Sequence, residues 1–202
     1  MHKHNNILLV SLGSNCLQEA FNEQFSEEDF PMERVSGFFD WMITSPQSII
    51  QFLEHCKAGT VFDALSNVDN YIEVVNPDGG IFYKNTLFDC MYIWHPEQFR
   101  KNPDFSDTVI HKLNNLFNHA GKRYFILNNT SGQIEESMLR VNEDPAKFII
   151  TAYQHLQIKS LLKELFNGEL ILITNQEKSI GISDPVGYFS LESLLSIFSL
   201  ES

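Results

Sequence analysis

Three short runs, Ile7–Leu12, Tyr124–Leu127 and Leu170–Thr174, most constrain what this chain can fold into. Each is apolar at nearly every position, and predicted helices lie between them. A strand half-exposed to water alternates apolar and polar residues, whereas a strand covered on both faces does not. The runs therefore predict an α/β fold with a mostly parallel central sheet and helices on both faces. A hydrophobic content of 43% and 17 phenylalanines suit one domain spanning residues 1–202. Asn76-Pro-Asp-Gly-Gly80 supplies turn chemistry between strand-like Tyr71–Val75 and Gly80–Tyr83, which reads as an inserted β-hairpin. Cys90–Trp94 reads as a further short strand.

Helices are expected where apolar residues recur at helical spacing. One runs from Cys16 to about Gln24, and another starts at Ser45-Pro46 and stops at Gly59. In the second, Ser45 suits the N-cap and Pro46 the first helical position. A third is capped by Ser106-Asp107 and ended by Gly121, a long one spans about Pro145 to Phe166, and Leu191–Leu200 forms the last. Asn128-Asn129-Thr-Ser-Gly132 reads as a strand's exit loop.

In open parallel sheets, ligands gather beyond the carboxyl ends of the strands. Those ends carry Gly13-Ser14-Asn15-Cys16, Asn128-Asn129 and Asn175-Gln176. Cys16 falls in the first turn of a predicted helix, where unpaired amides and the helix dipole favour a thiolate or a bound anion. A free cysteine is also a common small core residue. A cysteine nucleophile needs a base, and histidine is the usual one. Of seven histidines, His2 and His4 lie near the N-terminus, and His55, His111, His119 and His155 fall on predicted helices, where an exposed histidine is unremarkable. His95 instead follows a strand-like run into a loop, the setting in which catalytic groups concentrate.

Gly13, Ser14 and Asn15 are candidate oxyanion or substrate-binding residues, with Trp41 and Asn128 beside them. Asp40 lies among Phe38, Phe39 and Trp41. A buried carboxylate must be paired or hydrogen-bonded, so Asp40 can orient an imidazole, hydrogen-bond the turn beside Cys16 or cap the backbone before Thr44-Ser45-Pro46. Cys56 and Cys90 read as packing residues. No cysteine or histidine spacing suggests a metal, no glycine-rich signature suggests a nucleotide, and no cofactor is expected.

A net charge of −12, from 26 acidic and 14 basic residues, disfavours nucleic acid as a partner. Three scattered cysteines fit a reducing compartment better than a disulfide framework. The apolar run after Met1-His-Lys-His-Asn-Asn is too short for a signal peptide or a membrane span. A cytoplasmic protein without membrane insertion is expected, acting on a peptide, ester or small molecule; its oligomeric state is not legible.

Three segments occur in order: Val10-Ser-Leu-Gly-Ser-Asn-Cys16, Phe39-Asp-Trp-Met-Ile-Thr-Ser-Pro46, and His95 after Tyr92-Ile-Trp94. Together they resemble a bacterial family of uncharacterised proteins described as papain-like cysteine peptidases. The resemblance covers about the first hundred residues. It implies Cys16 as nucleophile, His95 as base and Asp40 as an important residue. Phe38 stands where that family usually has proline, and Pro96 where an acidic residue is common. The Gly-Ser-Asn-Cys turn is also similar to the Gly-Asp-Ser turn of SGNH-type esterases, with sulfur in place of oxygen. The expected activity is attack of Cys16 on a carbonyl through an acyl-thioester. The alternative is a non-catalytic module that binds an anion such as a sugar-phosphate at the first helix N-terminus.

Overall fold

The computed structural model describes residues 7–13, 38–93 and 104–174. The predicted helices Cys16–Gln24 and Leu191–Leu200 lie outside these residues. The strands are β1 (Ile7–Ser11), β2 (Met42–Thr44), β3 (Tyr71–Val75), β4 (Ile81–Asn85), β5 (Met91–Ile93), β6 (Lys122–Asn128) and β7 (Glu169–Ile173). The helices are α1 (Pro46–Ala58), α2 (Val61–Ser66), α3 (Phe105–Asn118), α4 (Ser131–Val141) and α5 (Ala152–Phe166). A 3-10 turn, Phe38–Trp41, precedes β2.

The three apolar runs form one parallel sheet in the order β1-β6-β7, with Ile7 opposite Lys122 and Asn128 opposite Ile173. Central β6 is buried from Tyr124 to Leu127, as a strand covered on both faces must be. The fold is α/β, but it is not built on a single mostly parallel sheet. Four described strands form a separate antiparallel sheet, β2-β5-β4-β3. The hairpin at 71–85 is half of that sheet, not an isolated insertion. Its turn is tied by Asn76, whose side-chain oxygen accepts from Gly80 N at 2.5 Å.

One core joins the two sheets. Leu8, Val10, Phe125, Leu127 and Leu172 of the parallel sheet meet Met42, Tyr83, Met91 and Ile93 of the antiparallel one, with α1, α2, α3 and α5 packed against both. The opposite face of the antiparallel sheet buries Ile43, Phe82, Cys90 and Tyr92 under Ile134 and Val141 of α4 and under Phe148. This explains the unbroken apolar reading of β5. Successive side chains point to opposite faces, and here both faces are dry.

The helix starts separate local from long-range chemistry. Ser45 caps α1 as expected, its hydroxyl accepting from Ser48 N at 3.1 Å, and Gly59 ends the helix in the left-handed region at φ 73°. Ser48 Oγ donates to Cys90 O at 2.9 Å, which ties α1 to β5. By contrast, α3 starts at Phe105, and Ser106 is not its cap. The Ser106 hydroxyl donates to Ser66 O at 2.6 Å and fastens α3 to the end of α2.

The long helix expected from Pro145 is broken. Pro145–Lys147 is a 3-10 turn, and α5 begins only after Thr151, where Thr151 and Gln154 form a reciprocal capping box. At the far end Arg123 donates to Leu116 O (3.0 Å), Phe117 O (3.1 Å) and His119 O of the α3 terminus. It also donates to Phe166 O of α5 at 3.1 Å. One guanidinium thus serves the orphan carbonyls of two helices.

Candidate functional site

Strand β2 is where the sequence motifs meet. β1 ends in Leu12 and Gly13, and Leu12 N extends the ladder to Ile126 O at 2.9 Å. Gly13 has φ +107°, a conformation that favours glycine, and Ser11 Oγ accepts its N–H at 3.3 Å. A Cβ at Gly13 would collide with Thr44 Oγ1 and lie 2.9 Å from Thr44 Cβ. Thr44 Oγ1 also donates to Leu12 O at 2.8 Å. The Ser-Leu-Gly segment is therefore pressed against the last residue of β2.

The 3-10 turn that enters β2 packs against β1, β2 and α3. Phe39 is fully buried there, its ring edge-on to Phe38 (5.3 Å) and Phe52 (4.8 Å). Asp40 is 6% exposed. The cap before Pro46 belongs to Ser45, so that bland role for Asp40 is already filled. Trp41 closes the turn with its backbone. On the other side of β2 runs antiparallel β5, Met42 opposite Ile93 and Thr44 opposite Met91.

Asn128 stands at the end of β6, on the same sheet edge as Gly13 and Thr174. Its side-chain oxygen accepts from Thr130 N at 3.3 Å, a local turn contact. Asn129 is more tightly held. Its amide nitrogen donates to Phe148 O at 2.5 Å, and its oxygen accepts from Ile150 N at 3.1 Å. The crevice between Thr44, Pro46, Asn128, Ser137 and Phe148 holds about 10 Å³, room for about one water. Nothing in the bare asparagine pair signals that Asn129 clamps the chain before α5.

Cys16, His95, Ser14 and Asn15 lie outside the described residues, as do Asn175 and Gln176. The other two cysteines are poor nucleophiles. Burial pushes the thiols of Cys56 and Cys90 up to about 12. His155 is on a helix as expected, buried in α5. His55 Nδ1 is 2.7 Å from Thr60 Oγ1, and His111 Nε2 is 3.2 Å from the Asn115 amide nitrogen.

A charged cluster that sequence reading missed sits on the second face of the antiparallel sheet. Glu143 accepts from Lys84 at 3.0 Å, from Lys147 at 2.8 Å and from the Tyr92 hydroxyl. Burial would raise its carboxyl, but hydrogen bonds from Lys147, Tyr92 and Lys84 prevail and bring it to about 2. Glu143 and Lys147 stand four residues apart, but Lys84 and Tyr92 come from the antiparallel sheet, so local spacing does not announce the cluster.

Among the described residues, no group of three or more His, Cys, Asp or Glu side chains is placed to hold a metal. Nor is any described helix long and apolar enough to cross a membrane. Comparison with protein-family models, curated proteins and solved structures finds no match to this chain.

Proposed function

We propose that this chain is a cytoplasmic cysteine-nucleophile hydrolase or peptidase of the papain-like family its motifs resemble. His95 takes the proton from Cys16 Sγ, and the thiolate attacks a carbonyl carbon of a peptide, ester or small-molecule substrate. The oxyanion is held by amides of the Gly13-Ser14-Asn15 turn, with Trp41 and Asn128 beside the substrate. Collapse breaks the bond to the leaving group, which departs with the proton from His95. Water, deprotonated by His95, then attacks the acyl-thioester, releasing the acid and restoring the thiol. Asp40 orients the imidazole.

The supporting observation is the convergence on β2. Gly13 contacts Thr44, Asp40 lies two residues before Met42, and Met42 faces Ile93. The segment leading to Cys16 thus abuts Thr44 at one end of β2, and the strand leading to His95 pairs with Met42 at the other.

The test is mass spectrometry of the intact protein after exposure to p-nitrophenyl acetate. An acetyl adduct on Cys16 that turns over in the wild type, persists in His95→Ala only at trace level and is absent from Cys16→Ser supports the reading. No adduct on Cys16, with inorganic phosphate binding wild type and Cys16→Ser equally, would replace it with the anion-binding module.

A further inference from the structure

Helix α3 contains a charge where its pattern calls for a hydrocarbon. Val109, Leu113 and Leu116 are its buried residues, at i, i+4 and i+7, and Lys112 occupies the i+3 position of the same stripe. Lysine is seldom placed on a buried stripe unless a charge meets it. Lys112 is half-buried, whereas Asp107 and His111 of the same helix are exposed. The turn packed against α3 is the one that carries buried Asp40.

We infer that Lys112 is a positioning residue of the candidate site: its ammonium is the counter-charge that keeps Asp40 ionised at the entry to β2. An ionised Asp40 accepts a hydrogen bond from the base imidazole, whereas a protonated one loses the charge that stabilises the imidazolium. Burial lowers the Lys112 ammonium below its usual range, and the Asp40 charge acts in the opposite direction.

Among the described residues, the other charged groups near the turn are engaged or remote. β1 and β2 carry no ionisable side chain. α1, which reaches the turn through Phe52, carries Glu54, His55, Cys56 and Lys57. Of these, Glu54 is exposed, His55 bonds Thr60 and Lys57 pairs with Glu164 at 2.7 Å. The orienting role rests on the proposed Cys16–His95 pair, but the pairing of Lys112 with Asp40 does not.

The experiment follows the Asp40 carboxyl carbon by NMR in the full chain, with Asp40→Asn used for assignment. In the wild type Asp40 stays ionised below the ordinary aspartate value of about 3.9. Lys112→Met raises its midpoint by about two pH units or more, because a buried carboxylate is left without its counter-charge, and Lys112→Arg restores it. An Asp40 midpoint unchanged in Lys112→Met overturns the inference. A parallel readout is the iodoacetamide rate at Cys16 at a pH between the wild-type and Lys112→Met midpoints of Asp40, which falls several-fold in Lys112→Met and recovers in Lys112→Arg. If Asp40 shifts and that rate does not, the positioning role is overturned. If Cys16 has an ordinary thiol profile in the wild type, the hydrolase reading fails, while the Asp40 titration still decides the ion pair.

Discussion

Thr44 and Gly13 are locked together. The threonine hydroxyl donates to the carbonyl of Leu12 at 2.8 Å, and its Cβ lies 2.9 Å from where a side chain on Gly13 would begin. The pair joins the end of the parallel sheet's first strand to the last residue of β2 in the antiparallel sheet. Gly13→Ala meets a left-handed backbone and an occupied space together, and the strain is worth about 1–3 kcal/mol. Urea unfolding should show that loss, and Gly13→Ala combined with Thr44→Ala should cost less than the two changes summed.

Asn129→Ala should destabilise by about 2 kcal/mol, because it leaves Phe148 O and Ile150 N unpaired in the interior. Asn129→Asp should not rescue it, since a carboxylate offers no donor to Phe148 O. Chemical denaturation of the two variants checks this.

The capping box at Thr151 predicts a loss of about 1 kcal/mol for Thr151→Ala and much less for Thr151→Ser. Amide exchange should rise first at Gln154, whose N–H loses its acceptor.

Glu143 makes an acid-limb prediction. Its carboxyl is lowered from 4.5 to about 2 in the folded chain, so its contribution to stability is complete above about 4.5 and is lost as pH falls towards 2. Glu143→Gln should lower stability at neutral pH and flatten the stability–pH curve across that window. Thermal unfolding at several pH values measures it.

What could be read from the sequence was local. The Asn76–Gly80 turn and the Ser45-Pro46 start are chemistry between near neighbours, and both are as expected. The three runs of the parallel sheet were visible because burial on both faces removes polar alternation. The division into two sheets was not visible, since three-residue β2 pairs with β5 about fifty positions away. Helix α4 is not legible because its first two residues, Ser131 and Gly132, belong to the segment that reads as an exit loop; among its described side chains Ile134, Ser137 and Val141 are the buried ones. At the site, Asp40 was singled out for its aromatic neighbours. Lys112 was missed because its partner lies on a different element.

The central claim is that Cys16 is an activated nucleophile, and its alkylation by iodoacetamide as a function of pH tests that most directly. The account predicts modification of Cys16 with a midpoint well below about 8.5, while Cys56 and Cys90, both raised to about 12, stay unmodified. A Cys16 midpoint near about 8.5, unaffected by His95→Ala, would contradict it.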